Sequence, residues 1–82
     1  MQKFDIRLSL AENVKTFVNI VGKYDFDMDL RSGRHVVDAK SILGIFSLDL
    51  SKPISLEVDD EHAKDPAQLE ALKEAIKPFM AV

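Results

Sequence analysis

The sequence contains no cysteine and no tryptophan, and only three glycines and three prolines among its 82 residues. Without cysteine there is neither a disulfide nor a thiolate metal ligand, so the fold must rest on packing alone. That absence fits a reducing compartment, and a cytoplasmic location is expected. No apolar run approaches the ~20 residues of a membrane-spanning helix. Met1-Gln2-Lys3 leads into an alternating segment and not into the apolar core of a signal peptide, so membrane insertion is not expected. Basic charge is in short supply as well. Eleven Lys and Arg stand against 14 Asp and Glu, for a net charge of -3, which argues against direct binding of nucleic acid, where clustered cations must neutralise phosphate. A glycine-rich phosphate loop, an internal repeat and a low-complexity tract are all missing.

What is present reads as one small domain, residues 1–82, with a thin core. Residues 3–10 alternate, with Phe4, Ile6, Leu8 and Leu10 on one face and Lys3, Asp5, Arg7 and Ser9 on the other, as in a strand wet on one side. From Val14 the period lengthens. Val14, Phe17, Val18, Val21 and Tyr24 mark an amphipathic helix, with Gly22 placed for its exit. Phe26, Met28 and Leu30 alternate as a second strand, Ser32-Gly33 signals a turn, and residues 35–39 form a short third strand, making a hairpin. Ser41 is a good N-cap for a short helix through Phe46, which Gly44 weakens. After the break at Ser51-Lys52-Pro53, Ile54, Leu56 and Val58 alternate as a fourth strand. Asp65 and Pro66 then open a last helix with the apolar stripe Leu69, Leu72, Ile76 and Phe79, which Pro78 ends or distorts. The order β-α-β-β-α-β-α implies an α+β open-faced sandwich, with a four-stranded antiparallel sheet and three helices on one face.

Two segments carry a more specific signal. Lys40-Ser41-Ile42-Leu43-Gly44-Ile45-Phe46-Ser47-Leu48 resembles the K-S-[IL]-[ML]-G-[VIL]-[ML]-S-L segment of HPr, the histidine-containing phosphocarrier of the bacterial sugar phosphotransferase system. Lys23-Tyr24-Asp25 resembles that family's K-[FY]-x before its second strand. The resemblance covers nearly the whole chain in element order. It fails at the family's catalytic signature, G-[IL]-H-A-R-P-A. Counted back from Lys40-Ser41 without gaps, that signature falls on Leu8-Ser9-Leu10-Ala11-Glu12-Asn13-Val14, where only Ala11 matches. Leu10 stands in place of the phosphorylatable histidine and Glu12 in place of the arginine. Leucine has no nucleophilic atom, and a carboxylate in a first helical turn repels phosphate, so a catalytic residue is expected nowhere in this segment. The residues themselves suggest an ordinary turn: Ser9 and Glu12 fit the S-x-x-E capping box, with Leu10 packed at the helix start.

Other candidate chemistry is sparse. His35, beside Arg34, and His62 are expected to be surface histidines, although either could serve as an unusual phosphate acceptor in a still active carrier. Asp59, Asp60, Glu61 and His62 carry metal-ligating atoms, but four consecutive loop residues rarely converge on one ion, so no metal and no cofactor are expected. Enzyme activity is not expected either. Ser41 is the N-cap candidate on its own terms. The resemblance adds that in many relatives the matching serine is phosphorylated by a dedicated kinase, and the product acts with a transcription regulator. Lys40 beside it could assist there, join the partner-binding residues or simply be solvated. Finally, Ile42, Leu43 and Phe46 share one face of the short helix while Ile45 points to the core. Three exposed apolar side chains would make a docking patch, flanked along the first helix by Glu12, Lys15 and Asn19. The resemblance implies phosphotransferase-system proteins as partners, since the family's matching residues contact its upstream enzyme and its acceptors. The expected role is a regulatory or adaptor protein, with a bare interaction module as a further alternative.

Overall fold

The computed structural model describes residues 2–59 and 66–80. In chain order it has β1 (Gln2–Ile6), α1 (Ala11–Val21), β2 (Met28–Ser32), β3 (His35–Asp38), α2 (Ile42–Phe46), β4 (Ile54–Val58) and α3 (Pro66–Ile76), followed by a 3-10 turn at Lys77–Phe79. The strands form one antiparallel sheet in the order β1-β4-β2-β3. Element order, strand direction and helix number are those expected of the open-faced sandwich. The boundaries are not. The first strand stops at Ile6, four residues before the alternation in the sequence does, and the second begins at Met28, after the buried Phe26.

Register explains why period two survives in β1, β2 and β4. Phe4 pairs with Leu56, Leu56 with Leu30 and Leu30 with Val37, an apolar row running across all four strands toward the helices. Ile6 and Ile54 continue the same face at one end, and Met28 and Val58 at the other. Against it α1 lays Val14, Phe17 and Val21, and α3 lays Leu72 and Ile76, every one of them fully buried. Burying a side chain of this size contributes about 1.5–3 kcal/mol, so these few residues dominate the stability of so small a domain.

The other face of the sheet is polar, and its neighbours are also fixed by register. Lys3, Glu57, Asp29 and Asp38 lie side by side across β1, β4, β2 and β3. Glu57 is only 6% exposed, yet its carboxylate is satisfied: Arg31 donates through Nε at 2.8 Å and through a second nitrogen at 3.4 Å. That bond holds the Glu57 carboxyl below the usual carboxylate range. Asp29 has the opposite fate. Partial burial, then Asp38, Glu57 and Asp27, push its carboxyl up from the ordinary 3.8.

The hairpin turn is Gly33-Arg34, one residue beyond the Ser32-Gly33 pair expected, since Ser32 itself pairs with His35. Gly33 has φ 61 and Arg34 does not have a positive φ, the pattern of a type II′ turn whose first position belongs to glycine. Gly22 does cap α1, but in right-handed geometry at φ -65. Pro78 sits in the 3-10 turn, as its ring requires at the end of an α-helix. Among the described residues no helix is long and apolar enough to cross a membrane.

Candidate functional site

The two helices that carry most of the candidate site residues begin differently. Helix α2 starts as its sequence predicts. Ser41 is extended, at φ -103 and ψ 109, and its Oγ accepts from the Gly44 N–H at 3.1 Å. Ser41 N–H in turn donates to the Asp38 carbonyl at 3.0 Å, tying the cap to the end of β3. Gly44 is more than a weak helix former here. A Cβ on it would come within 3.2 Å of both Ser41 Oγ and Val37 Cβ, so its bareness lets α2 lie close against β3.

Helix α1 departs from expectation. Its N-cap is Leu10, extended at φ -118 and ψ 145, and no side chain caps it. The helix therefore starts one residue later than an S-x-x-E box would require, leaving Ser9 outside the cap position and the box unformed. Asn13 and Val14 N–H both donate to the Leu10 carbonyl, at 3.0 and 3.2 Å. The reason is a contest of magnitudes. A capping box offers ~1 kcal/mol, whereas the extended entry that keeps Leu8 fully buried offers about 1.5–3 kcal/mol. Leu10 does not pack at the helix start either: it is 61% exposed.

The short helix sorts its side chains as its spacing predicts. Ile45 is fully buried, while Ile42, Leu43 and Phe46 are 38%, 84% and 45% exposed. Leu43 and Leu10 are the two most exposed large apolar residues described. Nothing in the sequence pattern announces Leu10 as exposed, because alternation carries it onto the buried face. The signal lies in the one-residue shift of the helix start. Helices α1 and α2 pack against one another. Glu12, Lys15 and Asn19 are all exposed on α1 and share a stripe at i, i+3 and i+7. Glu12 contributes its carbonyl to Thr16 Oγ1, at 3.0 Å.

Lys40, beside Ser41, is engaged by the fold. Its Nζ donates to the Tyr24 carbonyl at 2.6 Å, joining the α2 approach to the loop before β2. Its N–H is held by Asp38 Oδ1 at 2.9 Å. Lys40 is thus a strut of the site. His35 is exposed at the start of β3, opposite Ser32. Asp60, Glu61, His62 and Asp65 lie outside the described residues, and so do the acidic-loop metal candidate, apart from Asp59, and the expected α3 cap. Among the described residues, no group of three or more His, Asp or Glu side chains could hold a metal ion.

Comparison with known proteins identifies this architecture. A family model described as "PTS HPr component phosphorylation site" matches residues 10–78. The fold also matches solved structures. HPr-C-His from Thermoanaerobacter tengcongensis has a TM-score of 0.70 at 24% sequence identity, over 93% of this chain and 91% of that one. The phosphocarrier protein HPr from Bacillus anthracis str. Ames has a TM-score of 0.63 at 25% identity, over 90% of this chain and 92% of that one. The chain belongs to the HPr family. Proteins of this family are phosphocarriers rather than catalysts, and they work with the other proteins of the phosphotransferase system.

Proposed function

We propose that this protein is a regulatory or adaptor member of the HPr family that no longer carries a phosphohistidine and acts by docking to other proteins. The observation that carries this reading is the exposed apolar set Leu10, Ile42, Leu43 and Phe46, around a helix whose Ile45 anchors it to the core. In the gap-free placement on the family signature, Leu10 occupies the histidine position and Glu12 the arginine position. A hydrocarbon side chain cannot accept a phosphoryl group. Exposed as it is, it can still add apolar contact area beside α2. Glu12, Lys15 and Asn19 then supply the polar rim along α1, and phosphotransferase-system proteins are the partners the family suggests. The reading places the protein in the cytoplasm.

Ser41 is the candidate switch. Its Oγ is the acceptor that caps α2, so a phosphoryl group there would replace a neutral cap with a dianion next to the docking face. A serine kinase and a transcription regulator are the corresponding partners in the family. The competing reading is an active carrier with an unusual acceptor, for which the exposed His35 is the described candidate.

Binding to the first enzyme of the phosphotransferase system tests the docking face. Phe46→Asp should weaken that affinity tenfold or more while the circular dichroism spectrum is kept, because it puts a charge into the apolar set. Unchanged affinity would remove α2 from the interface.

A further inference from the structure

We propose that the C-terminal segment Lys77–Met80 is a strap that holds the turn entering α1, so that strap and turn open as one unit. That turn lacks a cap of its own, since no side chain satisfies the start of α1. It is instead gripped from outside, on both flanks, by Phe79 and Met80. On the strand side, Arg7 N–H donates to the Phe79 carbonyl at 2.7 Å, and Ile6 forms an antiparallel bridge with Met80. On the helix side, the Phe79 ring meets Phe17 of α1 edge to face, with centroids 6.0 Å apart and planes at 89°.

Only Leu8, Ser9 and Leu10 lie between the Arg7 anchor and the first residue of α1. The second pin, Phe17, lies six residues into α1, so the turn is held between a strand anchor and a helix that is itself anchored to the strap. The strap has its own stiffness: Pro78 fixes the 3-10 turn, which Met80 N–H closes onto the Lys77 carbonyl at 3.1 Å. Leu10, exposed in mid-span, is therefore set in position by residues far from it in sequence. Release of the strap frees Leu10 to move with the turn, which makes Lys77–Met80 a conformational control on the apolar set.

The consequence for docking rests on the proposed function, but the coupling is measured without any partner, so the two can fail separately. Amide hydrogen exchange on the full chain is the test, comparing the parent with Phe79→Leu and Phe79→Ala. The expected result is that Arg7, Met80, Asn13 and Val14 exchange at least tenfold faster, relative to the β2–β3 hairpin and to Gly44. Phe79→Leu keeps much of the apolar volume and gives the reading if Phe79→Ala does not fold. Faster exchange at Arg7 and Met80 with Asn13 and Val14 unchanged would overturn the proposal, since the strap would then fray alone. A common acceleration at every amide would overturn it too.

Discussion

The starts of α1 and α2 offer the sequence the same device and use it differently. Ser41 caps α2 through its own oxygen, whereas Ser9, which has a glutamate three residues on, caps nothing. The difference lies in what each helix is anchored by. Helix α2 has five residues and one buried anchor, Ile45, so a cap worth ~1 kcal/mol is a large share of what holds it. Helix α1 has 11 residues and buries Val14, Phe17 and Val21, so its phase is set by the sheet beneath it. Local capping signals decide a helix boundary only where core burial leaves that boundary open.

This contrast can be broken at several points. The largest effect should come from Phe17→Ala, which empties a fully buried site in contact with Phe79. A loss of about 3–5 kcal/mol in unfolding free energy is expected by denaturant titration. Ser41→Ala should cost ~1 kcal/mol by the same method, because Gly44 N–H loses its acceptor. The matching change at the other helix, Ser9→Ala, should be silent within ~0.5 kcal/mol. Leu10→Ser should run the opposite way and stabilise by roughly 0.5–1 kcal/mol, since it installs a side-chain acceptor at the true N-cap of α1. A loss of stability in Ser9→Ala comparable to that in Ser41→Ala would mean that the α1 box forms in solution.

A small effect, visible through its dependence on pH, concerns the polar face of the sheet. The Asp29 carboxyl is raised in the folded protein by partial burial and by Asp38, Glu57 and Asp27. A carboxyl raised on folding disfavours the fold once it is ionised, so this penalty appears as pH climbs through its folded value and is relieved by acid. Asp29→Asn should thus be more stable than the parent at neutral pH by a few tenths of a kcal/mol. The gap should close as pH falls below about 3.8, the ordinary value. Glu57 has the reverse sign, being lowered by the Arg31 hydrogen bond: its contribution is present at neutral pH and lost in acid. Melting curves of parent and Asp29→Asn across the acid range read both.

Much of the architecture is legible in the sequence because two periods, near 2 and near 3.6, separate strands from helices over most of the chain. The sorting of Ile42, Leu43, Ile45 and Phe46 is legible for the same reason. Long-range pairing is not. Nothing in the sequence pattern pairs Arg31 with Glu57, and only the placement of β2 beside β4 brings them together. Lys40 and Tyr24 carry no sequence signal of contact, and only the fold delivers the Tyr24 carbonyl to the Lys40 ammonium. Leu10 is the instructive case. Alternation assigns it to the core, a capping motif assigns it to a packed turn, and the register of α1 leaves it exposed. Family resemblance marks this position as important but cannot say whether its side chain is covered.

Phosphoryl transfer measures the central claim most directly. The parent protein is incubated with labelled phosphoenolpyruvate and the first enzyme of the phosphotransferase system, with an active HPr as a positive control. The account predicts no acid-labile phosphate on this chain while the control is labelled. Acid-labile phosphate on the parent, whether on His35 or on any other residue, would contradict it.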